Sequence, residues 1–150
     1  MSYHHILLIV HLLAAAIWVG GHLLLLISYV PQALKKKDKH IILNFESRYE
    51  KTGMTALATL VVSGIAMAID YGVMPDQWFT FSLPVERVVS VKLLLLFTTI
   101  LFAVSAQTLV IPRLKKGSNT MIPLLIHIAG VSILGVMMLI FGSFVRFGGL

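Results

Sequence analysis

Four residues with soft or borderline donor atoms recur at one spacing inside apolar sequence. His11 and His22 bracket the stretch HLLAAAIWVGGH, eleven positions apart, and His127 and Met138 are likewise eleven apart near the C-terminus. At about 100° per residue, eleven steps return to within roughly 20° of the starting direction, so each pair shares one helix face with about 16 Å between its members. A polar ring in hydrocarbon is a functional-site hypothesis by default. Imidazole suits copper and iron and thioether selects copper(I), while His/His and His/Met are also axial ligand sets of b-type haem.

If the helices that carry these residues run antiparallel and face each other, His22 meets His127 at one depth, and His11 meets Met138 nearer the outer side. The expectation is two stacked ligand pairs between the first and last helices, holding copper or haem b. The competing reading is a structural subunit in which each imidazole only hydrogen-bonds a facing Ser, Thr or backbone carbonyl.

Other residues could complete such a centre. Trp18 lies beside the His11/His22 stripe, and Ala14, Ala15, Gly20, Gly21 and Gly130 are small enough to leave a slot for a flat ligand. Lys92 and Arg146 are cofactor-binding candidates, able to hold a haem propionate or an anionic substrate, and Lys92 could instead pair with Asp70. Arg87 is read as snorkelling to the headgroups. His4 and His5 could capture a metal ion outside the membrane. Glu46 and Glu50, four apart beside Arg48 and Lys51, are read as helix-surface ion pairs.

These residues need helices that cross a membrane to position them. The chain has 150 residues, 58% of them hydrophobic and 12% charged, and its mean hydropathy of +0.94 lies far above that of soluble domains. Apolar periodicity and breakers place helices at about 6–30, 42–71, 86–112 and 120–146, with Pro31 and Pro112 expected to stop the first and third. The second helix is expected to begin ahead of the membrane. Trp78, Phe79 and Phe81 mark an interfacial loop. The expected fold is all-α, a single domain over 1–150 forming a four-transmembrane-helix antiparallel bundle, with no internal repeat.

The first apolar run is too long for a signal peptide and no Lys or Arg precedes it, so it is expected to be retained as a span. Nine of the twelve Lys and Arg lie in the loops joining helices 1 to 2 and 3 to 4 or close to them. The positive-inside rule then puts those loops in the cytoplasm of a bacterial-type inner membrane, with both termini outside. This topological use of the +6 net charge gives no basis for nucleic-acid binding. The chain has no cysteine, which excludes thiolate metal sites and disulfides. It lacks a nucleophile elbow, phosphate loop, HExxH motif and dinucleotide fingerprint, so a hydrolase, kinase or nicotinamide enzyme has no support. Expected partners are the lipid bilayer, a periplasmic copper or electron-transfer protein, and a second copy of the chain.

His11, Trp18 and Gly21, read with Pro31, FESRYEKTGM, Lys92 and Pro112, resemble the CopD-like copper resistance membrane proteins. HLLAAAIWVGG is similar to the opening of the CopD domain, and VKLLLLFTTILFAVSAQTLVIPRL to its later Lys-led helix. A relative of that family, the HemJ-type protoporphyrinogen oxidase, shares the H-x6-W-x2-G opening and four spans. The resemblance implies copper handling or tolerance or, through the HemJ-type relatives, haem binding and porphyrinogen oxidation by a membrane oxidoreductase. By position, His11 would be the histidine of the first-span motif and Lys92 the lysine of the third span. The terminal GSFVRFGG departs from the HemJ-type pattern, and His22 and His127 are additions to it.

Overall fold

A computed structural model describes residues 3–116 and 121–150. Among these residues the chain forms four helices long and apolar enough to cross a membrane: α1 (Tyr3–Lys36), α2 (His40–Asp70), α3 (Pro84–Lys115) and α4 (Met121–Phe147). Their outward faces are apolar; Ile27, Val62 and Ile122 are 68%, 70% and 72% exposed. Such surface is stable only against lipid, so the chain is a multi-pass membrane protein.

The two prolines expected to stop helices do not. A proline removes one N–H, and its ring collides with the carbonyl four residues earlier. In α1 the helix widens to π geometry over Leu25–Tyr29 just before Pro31, with the Val30 N–H donating to the Leu25 carbonyl, and helical structure then continues to Lys36. In α3 the same device spans Ala106–Val110 before Pro112, with the Ile111 N–H donating to the Ala106 carbonyl. The wider turn moves the obstructing carbonyl aside, so each helix continues past its proline.

These features keep one register between the two halves of the chain. The offset that carries Leu25–Tyr29 onto Ala106–Val110 also carries Pro31 onto Pro112. It carries the pair Gly21 and Tyr49 onto Phe102 and Gly130. In the first half the Tyr49 ring fills the space where a Gly21 side chain would stand. In the second half the Phe102 ring fills the space at Gly130. The helix pairs α1/α2 and α3/α4 are therefore variations on one hairpin, a relation that the expectation of no repeat overlooked because apolar residues interchange freely on lipid-facing surfaces.

Within each half the helices pack closely, α1 on α2 and α3 on α4, and α1 also packs on α4. At the last contact a Gly135 side chain would meet Trp18 and Val19, and the buried Ser132 hydroxyl donates to the Ile128 carbonyl with the His22 carbonyl 3.3 Å away. The expected facing of α1 and α4 is thus present but secondary, since small residues let α2 and α3 approach their own hairpin partners more closely. Near the 37–39 turn, Ile42, Leu114, Val110, Leu25 and Ile128 form one core cluster, and the Lys39 ammonium donates to the Leu114 carbonyl at 2.7 Å. Lys37 caps α1 in a left-handed conformation with φ 52°, and the Asp38 carboxylate accepts from the His40 N–H to start α2.

The opposite end is closed differently. Glu86, in the first turn of α3, accepts from the N–H groups of Ser82 and Leu83 and from the Thr80 hydroxyl, which satisfies donors that a helix N-terminus leaves free. Arg87 does not simply reach for headgroups: its Nε donates to the Phe81 carbonyl, and Nη1 lies 3.4 Å from the Leu150 carbonyl oxygen.

Candidate metal centre

His22 and His127 line one pocket of about 140 Å³. α1 supplies Trp18 and His22 and α4 supplies His127 and Val131, while α2 and α3 form the side walls.

Hydrogen bonding fixes the tautomer of both rings. His22 Nδ1 lies 2.8 Å from the Trp18 carbonyl oxygen, and His127 Nδ1 lies 2.7 Å from the Pro123 carbonyl oxygen. A carbonyl has no proton to give, so each Nδ1 carries the hydrogen and each Nε2 of the neutral ring keeps its lone pair. In both cases the acceptor lies four residues earlier on the same helix, so helix geometry itself holds the ring. His22 Nε2 takes no hydrogen bond from the described residues. His127 Nε2 accepts from the Ser105 hydroxyl at 3.1 Å, a bond an incoming ligand would displace. A backbone carbonyl on one ring nitrogen and a free lone pair on the other is the arrangement that orients histidines toward metals.

Aromatic rings pack around the two imidazoles. Trp18 is buried with its ring centroid 4.6 Å from that of His22, and Tyr49 meets His22 edge-on at 5.8 Å. The single hydroxyl proton of Tyr49 lies within reach of two carbonyl oxygens, Ile17 at 2.9 Å and Trp18 at 3.0 Å from the hydroxyl oxygen. Phe102 packs 5.3 Å from His127. The slot expected at Gly21 and Gly130 is consequently filled by Tyr49 and Phe102, while Gly20 faces outward with nothing near it. Ala14 and Ala15 are buried in the bundle.

The described contacts of His11 and Met138, the second expected pair, are with other residues. His11 Nδ1 contacts the Ser63 hydroxyl on α2 at 2.8 Å, and its Cε1 lies against Gly64. Ser63 gives its own proton to the Thr59 carbonyl, so His11 is the donor. Met138 instead packs against the cluster of Trp18, Val19, Ala56, Leu57 and Val131. His11 turns to α2 because Ser63 and Gly64 offer an acceptor and room for the ring, whereas Met138 finds more apolar contact within the core.

Lys92 packs with its ammonium against Gly142 of α4. It makes no hydrogen bond or ion pair with the described residues. Asp70, its expected partner, is taken by His4, whose Nδ1 donates to the Asp70 carboxylate while the Tyr71 hydroxyl lies 3.3 Å from Nε2. His4 therefore joins α1 to α2 and does not combine with His5, which is exposed. Arg146 is exposed near the C-terminal end, with no partner among the described residues. Among the described residues no three His, Cys, Asp or Glu side chains converge as metal ligands.

Several pocket residues escaped the sequence reading. Met54, Tyr49, Glu46, Glu50 and Gln107 all line the His22/His127 pocket. The expected surface ion pairs of Glu46 and Glu50 with Arg48 and Lys51 are absent, because Glu46 turns to α3 and accepts from Gln107 Nε2 at 2.7 Å. The available signal was the spacing Glu46, Tyr49, Glu50, Gly53, Met54, which places all five on one helix face. No family model, curated protein or solved structure matches the chain.

Proposed function

We propose that this chain is an inner-membrane protein of the CopD-like kind, which holds a redox-active metal ion, copper, between α1 and α4 with His22 and His127 as ligands. Its four helices run antiparallel with both termini outside, and its basic loops lie in the cytoplasm. The observation that carries the reading is the common tautomer of the two imidazoles in one pocket, each with Nδ1–H held by a backbone carbonyl, which leaves the Nε2 lone pair of His22 free and that of His127 engaged only by the Ser105 hydroxyl. Two imidazoles with the Met54 thioether at the rim form a donor set suited to copper. The exclusion of water by Trp18, Val131 and Leu57 would protect bound copper(I). The role of such a centre is copper handling or tolerance.

A b-type haem is the second reading, relevant to electron transfer or to HemJ-like porphyrinogen oxidation. The same Nδ1–H tautomer suits an axial haem ligand. The pocket of about 140 Å³ is close to the cavity of about 150 Å³ that accepts a single benzene ring. A porphyrin would therefore have to displace Tyr49 and Phe102, which favours the ion over the macrocycle.

Purified protein loaded with copper(I) and freed of excess metal tests both readings. The copper reading expects one tightly held ion per chain, lost in His22→Ala and in His127→Ala. A Soret band that shifts with dithionite, in protein made with ample haem, would replace copper by haem. If both variants match the wild type in metal and haem content, the histidines fasten helices and the chain is a structural subunit.

A further inference from the structure

The pocket has a polar mouth that the ligand pair alone does not explain. α2 and α3 do not pack closely on each other as α1 and α4 do, and the pocket lies between them, walled by Phe45, Tyr49 and Met54 on one side and Ala103 and Ala106 on the other. Glu46 and Gln107 stand across this gap, and the Gln107 amide donates to one carboxylate oxygen of Glu46. The other oxygen takes no hydrogen bond from the described residues.

The surrounding charge is of opposite sign. Lys35, Lys36, Lys37, Lys39, Arg48, Lys51, Arg113, Lys115 and Lys116 lie at or near this end of the bundle, where Asp38, Glu46 and Glu50 are the acidic residues. Two of those three line the pocket. A cation approaching this end is repelled by the loops and attracted at the mouth, whereas an anion drawn to the loops meets carboxylate before it meets imidazole. Carboxylate is a hard donor and holds copper(I) weakly, while imidazole and thioether hold it better. A cation captured at the mouth thus gains by moving inward.

We infer that Glu46 is a capture residue: its carboxylate takes a metal cation at the α2/α3 gap and passes it to the His22/His127 pocket, and its bond to Gln107 holds the carboxylate at the mouth. This rests on the copper reading of the pocket. The transfer is ligand exchange alone, in which the ion leaves the carboxylate for imidazole nitrogen with no change of oxidation state.

The test is the rate at which the detergent-solubilised full chain withdraws copper(I) from a weak chromogenic chelator at low ionic strength. Glu46→Gln keeps a hydrogen-bonding partner for Gln107 and removes the charge. It is expected to load about tenfold more slowly than the wild type, with the same final stoichiometry. Salt should shrink the difference in rate between the wild type and Glu46→Gln, because it screens the one charge by which they differ. Gln107→Ala keeps the charge and should load faster than Glu46→Gln. Equal rates for the wild type and Glu46→Gln overturn the capture role while leaving the pocket intact. Loss of stoichiometry in Glu46→Gln equal to that of His22→Ala would make Glu46 a ligand and also overturn it. A wild type that takes up no copper overturns the reading of the pocket itself.

Discussion

Gly20 and Gly21 are neighbours in one helix and should respond oppositely to the same substitution. A Cβ at Gly21 would stand 2.2 Å from Tyr49 Cζ and 2.4 Å from its hydroxyl oxygen, whereas a Cβ at Gly20 meets nothing within 4 Å. Gly21→Ala must therefore push the ring out of its seat and break the hydroxyl's bonds to the Ile17 and Trp18 carbonyls. Overpacking of this kind costs about 1–3 kcal/mol, and the lost hydrogen bonding adds roughly 0.5–1.5 kcal/mol. The better helix propensity of alanine returns about 1 kcal/mol. The net expectation is a loss of about 1–3 kcal/mol for Gly21→Ala and no loss, or a gain of up to about 1 kcal/mol, for Gly20→Ala. Reversible unfolding in mixed micelles, followed by circular dichroism, measures both. Tyr49→Ala removes the obstacle, so Gly21→Ala made in that background should lose nothing, giving a coupling of about 1–3 kcal/mol. Equal effects at Gly20 and Gly21, or the same Gly21→Ala loss with and without Tyr49, would refute the packing.

Gly130→Ala should likewise destabilise by about 1–3 kcal/mol, because its Cβ would lie 2.6 Å from Phe102 Cε1; rescue by Phe102→Ala in the same unfolding assay checks the contact. Ser63→Ala leaves the His11 Nδ1–H without its acceptor and should lower stability by about 1–3 kcal/mol in the same unfolding assay, whereas a neutral effect would contradict that bond. Lys92→Met exchanges a cation lacking a partner in the bundle for a thioether, so unfolding should show equal or greater stability; a drop of more than about 1 kcal/mol would reveal a bond that the packing at Gly142 does not contain.

The four helices were legible because membrane spans need long apolar runs, and the common depth of His22 and His127 followed from their positions relative to the loops. The continuation of α1 past Pro31 and of α3 past Pro112 was not, since a proline in sequence says only that one hydrogen bond is missing, while a π-turn that accommodates it depends on backbone geometry several residues earlier. Gly21 and Gly130 marked close approaches, but a glycine cannot say whether a ligand or a neighbouring ring uses the space. Tyr49 and Phe102 sit at corresponding positions of the two hairpins with the aromatic and the glycine exchanged, so comparison of the halves held the missing information. The bond of His11 to Ser63 is not legible in the sequence, because the helical face of His11 is wide enough to address α2 as well as α4.

The donor set of His22 and His127 is tested most directly by X-ray absorption at the copper edge on the copper(I)-loaded chain, compared with His22→Ala and His127→Ala. The expected spectrum contains two imidazole nitrogens at about 2 Å, with the outer-shell scattering of their rings, a signal that neither variant gives because neither retains the ion. A wild-type spectrum without imidazole scattering, or one unchanged by both substitutions, would contradict a metal centre at these two histidines.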